Sequence, residues 1–443
     1  MKGTLLIRTF VLAVSFHASL GFAMETSDQD YYRVIMINGE DIPVAQGKEI
    51  SSLSLFAVKE GMLEPIPYQI DEYNIGGAVY FAEWHEPIDG TPQLVDPNDK
   101  LLFLMGDSGE RKTKTMRADG KIISEIEINT STNTKRYVYL VEGSRLQSDA
   151  QHVRYSIEES AVETDFFSLD FNKDNHLIWN DFAYADYRGD SPIDGLKIKF
   201  TSGIISSAAE MSFDNESFIA KTAGENVGPI RTTIQLHFTF IYLGLEFIDA
   251  SIQAHFYPNA FIYDVRLMIP EIRRALLVDP NMSVAIDFNQ LIGAQIVTDS
   301  LSKPLVVDGN MTEEEKAANH VELNKDTNGI LLRSNRGFDL LAYLDWGITD
   351  PLPTKFMYQD NDYQFNKSDR FAGQLPITGY HVSDFPDKGL FGLIASVYFA
   401  DYFKGTPREL SKLVRTSPPI KINNIASTNN KVVNYSHSKM ALR

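Results

Sequence analysis

The sequence predicts an all-β protein, an antiparallel β-sandwich or supersandwich with one short helical insertion. The first observation is that residues 230–269 contain three segments in which apolar and polar side chains alternate, separated by short turns. A period of two is the pattern of half-buried strands, and short turns join such strands into an antiparallel meander. The second observation is that turns recur at short intervals through the first third of the chain. That spacing is typical of sandwiches and barrels rather than of alternating strands and helices.

Residues 1–23 have the composition of a targeting segment. Lys2 and Arg8 form a basic start, residues 9–20 are mostly apolar, and Gly21 and Ala23 stand three and one positions before the expected cleavage site. This order is typical of a secretory signal peptide, and the apolar stretch is too short for a spanning helix. The sequence therefore predicts export to the periplasm or the extracellular medium, with no transmembrane segment after cleavage.

The chain is acidic and contains no cysteine. Its formal net charge is −18, which becomes −20 once residues 1–23 are removed, because that segment carries two basic and no acidic residues. This balance argues against a nucleic-acid partner and against docking on anionic lipid, since both need clustered Lys and Arg. The absence of Cys excludes thiol catalysis and Cys-ligated zinc. Solubility explains the excess of carboxylates, and calcium binding is the alternative.

The predicted strands fall into two groups. A smaller N-terminal β domain spans residues 24–150 and includes an apolar run at 101–105 that is typical of a strand buried on both faces. A polar stretch at 142–165 precedes a larger antiparallel β domain over residues 160–425, which closes with a strand-like segment at 418–423. The helical insertion begins at a capping box formed by Thr312 and Glu315 and continues to residue 323. The polar tail, residues 426–443, is predicted to be disordered.

Residues 170–181 carry the sharpest local motif, with oxygen-bearing side chains at the first, third, fifth and twelfth positions. This spacing resembles the calcium loop of EF-hand proteins, in which the side chains converge on one cation. The resemblance implies calcium as a cofactor, with ligands from Asp170, Asn172, Asp174, Asp181 and the backbone carbonyl of His176. Two departures are Asn at the sixth position, where Gly is usual, and Asp rather than Glu at the twelfth. The alternative is an ordinary polar loop between strands.

The polar side chains of the predicted meander form a second constellation. Antiparallel pairing places the polar rows of neighbouring strands side by side, with opposed side chains about 5 Å apart. Imidazoles could exchange protons there while a guanidinium steadies an anion, and amides and carboxylates could bind a polyhydroxylated ligand. The residues predicted as catalytic are His237, His255 and Arg266, and those predicted to bind ligand are Gln235, Gln253, Asp264 and, from the N-terminal domain, Trp84. The alternative is the solvated face of a half-buried sheet.

Long alternating strands that follow Gly228 and Pro229, with aromatic residues throughout, resemble the supersandwiches of the galactose-mutarotase type, which several sugar lyases and hydrolases share. The resemblance is architectural, with no motif matched residue by residue, and it implies a concave polar face. Three functions follow as hypotheses. The first is binding of a carbohydrate or a related polar polymer, with or without calcium. The second is a lyase or hydrolase acting on such a substrate, and the third is a structural or assembly protein of the cell envelope.

Overall fold

The chain folds into antiparallel β-sheets, as the sequence predicts. The computed structural model describes residues 28–184, 189–217, 219–242, 245–268, 271–347, 350–361, 370–371, 375–386, 390–425 and 430–433. Within these ranges the strands form five sheets. No helix in the same ranges is long and apolar enough to span a bilayer. The predicted signal peptide, residues 1–23, lies outside the described residues.

An N-terminal unit begins with a four-residue helix, α1 (Asp28–Tyr31), and continues as short strands. These are β1 (Val34–Asn38), β2 (Leu53–Lys59), β3 (Met62–Pro65), β4 (Tyr68–Asp71), β5 (Lys100–Leu104), β6 (Lys121–Asn129) and β7 (Lys135–Glu142). One sheet has the order β1-β5-β4, and β6, β7, β2 and β3 are neighbours in another. Residues 101–104 of β5 are almost fully buried, which confirms the expectation drawn from their continuous apolar run.

A four-stranded sheet follows in the chain. Its strands are β8 (Val153–Ser156), β9 (Ala161–Thr164), β10 (Phe167–Asn172) and β11 (Asn175–Tyr184), in the order β11-β10-β9-β8. The buried side chains of Val162, Leu169 and Phe182 belong to the same hydrophobic core as the two sheets that follow in the chain. Residues 153–184 are therefore packed as part of the larger unit.

Two large sheets make up the rest of the larger unit. Their strands are β12 (Ile193–Ile204), β13 (Ser206–Asp214), β14 (Ile219–Val227), β15 (Thr232–Tyr242), β16 (Leu245–Tyr257), β17 (Ala260–Met268), β18 (Leu277–Phe288), β19 (Gln295–Val297), β20 (Leu305–Val306), β21 (Glu322–Leu323), β22 (Ile330–Arg333), β23 (Asp339–Asp345), β24 (Thr354–Gln359), β25 (Ile377–Val382) and β26 (Leu390–Ala400). Nine strands pair in the order β14-β15-β16-β17-β26-β23-β22-β19-β20, and six pair in the order β13-β12-β18-β25-β24-β21. The predicted meander is β15-β16-β17.

Two short helices lie between these strands, α2 (Glu271–Arg274) and α3 (Glu313–Ala318). The N-terminus of α3 confirms the predicted capping box, because the Thr312 side chain accepts a hydrogen bond from the Glu315 amide and the Glu315 side chain accepts one from the Thr312 amide. These two bonds satisfy backbone donors that the first helical turn leaves free. The helix is shorter than predicted, since residues 322–323 already form β21.

The C-terminal part of the chain returns to the N-terminal unit. Helix α4 (Pro407–Arg415) precedes β27 (Ile420–Asn424) and β28 (Asn430–Val433), which extend the second N-terminal sheet to the order β28-β27-β6-β7-β2-β3. The closing strand thus does not belong to the larger sheets, because Ile420 and Ile422 are buried in the N-terminal core. Within the tail predicted to be disordered, residues 430–433 pair with β27, and the other tail residues lie outside the described residues.

The two large sheets share one hydrophobic core, and the N-terminal unit has its own. Inward-facing side chains such as Ile234 and Ile252 of the nine-stranded sheet pack in one cluster with Phe288 and Tyr380 of the six-stranded sheet that contains β18 and β25. This arrangement is the antiparallel supersandwich that the sequence predicts. A small third cluster joins Leu102 of β5 to residues of the nine-stranded sheet. The N-terminal unit therefore lies on the outward face of that sheet, where the predicted polar residues also lie.

Candidate functional site

Residues of the outward face of the nine-stranded sheet are aligned in rows that cross several strands. Strand registers place them in three rows: Thr233, His255, Ile262, Ser396 and Tyr343 in the first; Gln235, Gln253, Asp264, Ile394 and Asp345 in the second; His237, Ser251, Arg266 and Gly392 in the third. Residues two positions apart on a strand share a face, so the rows are neighbours on one surface. The three predicted polar strands therefore occupy one half of a face that continues over β26 and β23.

The second row is covered at its glutamine end by residues 72–90, which we call the cover segment. The Gln253 side chain donates to the Val79 carbonyl at 2.9 Å and accepts from the Val79 amide at 3.0 Å. It also donates to the Gln235 side chain at 2.9 Å. Both glutamines are buried, with 1% and 5% of their surface exposed. The two amides predicted to bind ligand are instead hydrogen-bonded within the protein, Gln253 to the cover segment and Gln235 to Gln253 and Ser251.

His255 in the first row is also enclosed. Its Nδ1 is hydrogen-bonded to the Thr233 hydroxyl at 3.0 Å, and 8% of the residue is exposed. Burial, together with the nearby cations Arg231 and Arg266, holds the pKa of His255 well below its ordinary value, so the imidazole is neutral. Proton transfer with a polymer at the surface therefore does not fit His255, because its ring is buried.

A buried ion pair beneath the cover segment was not recognised from the sequence. Arg231 donates through Nε to Asp71 at 3.0 Å and through Nη1 to the Tyr257 hydroxyl at 3.0 Å. Gln69 lies beside Asp71 and accepts from the Arg231 amide at 2.8 Å. The only sequence indication was that Gln69 and Asp71 alternate on β4, because nothing local shows that their partner stands some 160 residues later.

The third row stays at the edge of the cover segment, close to the surface. His237 is exposed, and its ring centroid lies 5.8 Å from that of the half-buried Trp84. Arg266 donates to the Gly76 carbonyl at 3.1 Å and to Asp264 at 3.4 Å, and its side chain is 16% exposed. Burial raises the pKa of Asp264 and the Arg266 cation opposes that shift. The structure thus brings Trp84 to His237, and Asp264 to Arg266.

The predicted calcium motif forms a hairpin rather than a loop around one point. Asp170 of β10 pairs across the strands with Asp181 of β11, and Asn172 pairs with Asn175. The turn between them is held by the Asp174 amide, which donates to the Asn172 side chain at 2.9 Å. The ligand positions are consequently spread along two strands, so the EF-hand conformation is wrong for this segment.

Other contacts of this hairpin are internal to the protein. The His176 side chain is buried and hydrogen-bonded to the Thr222 hydroxyl at 2.7 Å, and the Asp181 side chain accepts from Arg370 at 3.1 Å. Within the described ranges, no group of three or more His, Asp or Glu side chains is placed to hold a metal ion. Calcium binding stays a prediction, and a calorimetric titration of the protein and of Asp174→Ala would test it.

A cavity of about 480 Å³ lies further along the same outward face, between the nine-stranded sheet and the N-terminal unit. Its floor is formed by Ala260 and Ile262 of β17, Ile394, Ser396 and Tyr398 of β26, and Tyr343 and Asp345 of β23. Its other walls come from Tyr31, Tyr32, Arg33, Val34 and Met36 at the start of the N-terminal unit and from Leu413, Val414 and Arg415 of α4. This volume falls within the range of about 300–1,000 Å³ that is usual for small-molecule sites, which often form between domains.

Tyrosines supply most of the cavity's aromatic surface. The rings of Tyr343 and Tyr398 are stacked, with centroids 6.0 Å apart and an interplanar angle of 11°. Burial raises the pKa of both tyrosines, so both hydroxyls stay neutral and can donate and accept hydrogen bonds. On the opposite wall, Tyr31 and Tyr32 meet edge to face at 4.7 Å.

The cavity was not predicted from the sequence, although β17, which forms part of its floor, was. The alternation in residues 339–345 and 390–400 puts Tyr343, Asp345, Ser396 and Tyr398 on a face opposite to buried residues such as Leu344 and Val397. The shared face of these residues could therefore be predicted from the sequence. The pairing of β17 with β26, and of β26 with β23, could not, because these strands are far apart in the chain.

Comparison with known proteins gives similarity of fold alone. No protein-family model and no curated protein sequence matches the chain. An alpha-mannosidase from Enterococcus faecalis V583 aligns over 91% of this chain and 45% of its own, with 8% identity and a TM-score of 0.46. A galactose mutarotase-like protein from Clostridium acetobutylicum aligns over 58% of this chain and 100% of its own, with 8% identity and a TM-score of 0.33. A mutant heparan sulfate lyase from Pedobacter heparinus aligns over 49% of this chain and 28% of its own, with 11% identity and a TM-score of 0.26.

The chain thus spans less than half the length of that mannosidase and of that lyase. All three resemblances are distant, with TM-scores below 0.5 and identities of 11% or less. No residue correspondence, substrate or activity follows from them, because unrelated functions share such folds.

Proposed function

We propose that the protein binds carbohydrate, and that its binding site is the cavity over β17, β26 and β23 rather than the covered glutamine row. The observation that carries the proposal is the lining of the cavity, in which stacked tyrosine rings and neutral hydroxyl groups surround a volume of about 480 Å³. A sugar ring has an apolar face of C–H groups and an equator of hydroxyl groups. Tyrosine matches both, since its ring is apolar and its hydroxyl group is polar.

Binding to a glycan array, followed by calorimetry on the glycans retained, tests this proposal. Tyr398→Ala removes half of the stacked pair, and we expect it to weaken binding about tenfold or more, as truncation of a central aromatic contact commonly does. The matched control is Tyr402→Ala, an exposed tyrosine whose ring contacts Arg333 outside the cavity, and it should bind normally. Absence of binding to any glycan would leave the envelope structural protein as the better hypothesis.

Export to the periplasm or the medium remains part of the proposal, because a glycan-binding protein with a signal peptide would meet its ligand there. Sequencing the N-terminus of the protein purified from the producing cells tests it. A mature chain that begins after Ala23 would support export. An intact N-terminus on protein recovered from the cytoplasm would contradict it.

A second candidate function is acid–base catalysis on a glycan by His237 and Arg266. One observation favours it: these two residues stay close to the surface in the third row, beside Trp84, while His255 is enclosed. His237 would take the proton and Arg266 would steady the anion that develops. Release of unsaturated or reducing ends, lost in His237→Ala and kept in the exposed-site control His320→Ala, is the expected result. Equal activity in both variants would exclude this role.

A further inference from the structure

The charged side chains that line the cavity are balanced in number, with Arg33 and Arg415 against Asp345 and Asp401. What a ligand meets depends on whether these charges are already paired. A free guanidinium attracts carboxylate or sulfate groups, whereas a paired one has its donors occupied and a negative neighbour that repels anions.

Arg33 is committed to the protein itself. Its Nη1 donates to Asp30 at 3.0 Å, and its Nη2 donates to the carbonyl groups of Thr416 and Leu413 at the C-terminal end of α4. Asp30 is almost fully buried, and the Arg33 side chain is 12% exposed. An anionic ligand that took the place of Asp30 on this guanidinium would leave a buried carboxylate without its cation.

Arg415 is likewise paired with a carboxylate, in this case on the floor of the cavity. Its Nη2 donates to Asp345 at 2.7 Å, its Nη1 donates to the Lys325 carbonyl at 3.3 Å, and its guanidinium lies over the Tyr343 ring at 5.4 Å. The remaining lining carboxylate, Asp401, accepts a hydrogen bond from the Tyr184 hydroxyl. Each of the two lining carboxylates offsets the charge of one lining guanidinium, so the cavity offers an anion no net attraction, and the carboxylate oxygens can accept from hydroxyl groups of a ligand.

We infer that the cavity selects neutral saccharides and discriminates against uronates and sulfated sugars. This inference rests on the proposed function and adds the substrate class to it. Stacking on Tyr398 and hydrogen bonds to neutral hydroxyl groups need no charge on the ligand, whereas an acidic sugar would gain the full charge of Arg33 or Arg415 only by replacing its present carboxylate partner. Discrimination thus comes from the cost of lost pairing as much as from attraction.

Calorimetry with matched oligosaccharides tests the inference, using a neutral glucan oligomer and the uronate oligomer of the same linkage and length. We expect the neutral oligomer to bind at least about tenfold more tightly. Tighter binding of the uronate would overturn the inference and leave the proposed function standing. Absence of binding to these oligomers and to every glycan of the array would overturn the proposed function itself.

A second variant tests the physical cause. Asp345→Asn removes the charge that pairs with Arg415 and keeps a side-chain oxygen able to accept from the Trp346 amide, a bond of 2.8 Å in the native protein. We expect the preference for the neutral oligomer to fall about tenfold or to reverse. The control Glu163→Gln breaks an exposed pair with Arg154 elsewhere and should leave the preference unchanged. An unaltered preference in a folded Asp345→Asn protein would contradict the assigned role of the ion pair.

Discussion

Two halves of one sheet face behave differently in this protein. Over β15 and β16, the polar residues Gln235 and Gln253 are buried under residues 72–90 and hydrogen-bonded to one another and to the backbone. Over β17, β26 and β23, the same rows continue into Ser396, Tyr343 and Asp345, and there the overlying chain leaves a cavity. A polar row in a sequence thus identifies a face, but not whether that face meets solvent, a ligand or another segment of the same chain.

The cause lies in what packs on each half. The cover segment brings a backbone amide and carbonyl that match the Gln253 side chain, and Phe81 lies so close to the sheet that a Cβ at Gly224 would stand 3.0 Å from it. On the other half, Arg33 joins the start of the N-terminal unit to the end of α4. Tyrosine rings from the sheet and from the start of the N-terminal unit line the space that remains between them. Residues 72–90 of the N-terminal unit thus pack closely on one half of the face, while the start of the same unit leaves a cavity over the other half.

The largest effect is expected from Asp71→Ala, which removes the carboxylate of the buried pair under the covered half. Arg231 would keep its charge with 1% of its surface exposed and without a counter-ion, which costs about 3–5 kcal/mol of unfolding free energy. Urea denaturation measures it. The exposed pair variant Glu163→Gln should change stability by less than about 1 kcal/mol, and a similar loss in both variants would contradict the importance of the buried pair.

A smaller, pH-dependent effect is expected at His152, which joins Asp107 of the N-terminal unit to Asp165 of the larger one at 2.7 and 2.6 Å. Burial alone would lower the pKa of His152, but hydrogen bonds to both carboxylates outweigh it and raise the pKa to about 9. Because the folded pKa lies above the ordinary value of 6.5, the stabilisation is complete below pH 6.5 and is lost as the pH rises through 9.

We expect this loss to be roughly 1–3 kcal/mol between pH 6.5 and 9.5, measured by denaturation at a series of pH values. The cause is that the neutral imidazole keeps at most one of its two charge-assisted hydrogen bonds. His152→Ala should be less stable at pH 6.5 and should lack most of this slope. An identical pH profile for the variant would show that the bonds of His152 to Asp107 and Asp165 do not contribute to stability.

Gln253→Ala should cost about 1–2 kcal/mol and loosen the cover segment, because it removes both hydrogen bonds to Val79 and leaves that amide without a partner. Hydrogen exchange at the Val79 amide measures the loosening directly and should become faster. Gln151→Ala, at an exposed site, is the control and should leave both stability and exchange unchanged. Unchanged exchange in Gln253→Ala would mean that other contacts hold the segment.

The smallest effect is expected from Ile394→Ala, which sharpens the comparison between cavity and core. Ile394 is half-buried and already borders the cavity, so its truncation should cost about 1 kcal/mol. Ile252, with 4% of its surface exposed, packs in the shared core, and Ile252→Ala should cost about 2–5 kcal/mol. Equal losses by urea denaturation would indicate that the cavity is closed in solution.

Local patterns predicted what local physics decides. Strict alternation gave the three meander strands, the apolar run gave the doubly buried β5, and Thr312 with Glu315 marked the start of α3. The EF-hand conformation expected for residues 170–181 was wrong for a related reason, while calcium binding itself stays a prediction. Regular spacing of Asp and Asn is compatible with a ligand loop and with a hairpin, and the apolar residues between them, Phe171 and Trp179, are buried by the hairpin.

By itself, the sequence determined the strands, their antiparallel connection where turns are short, and the face of each strand that is polar. Only the tertiary structure decided that β27 joins the N-terminal unit, that the cover segment lies on the glutamines, and that β26 and β23 extend the polar face into a cavity. The physical reason is that alternation and turn chemistry act between neighbours in the chain. Pairing between distant strands depends on the total burial and hydrogen bonding of the whole molecule, which no short stretch of residues encodes.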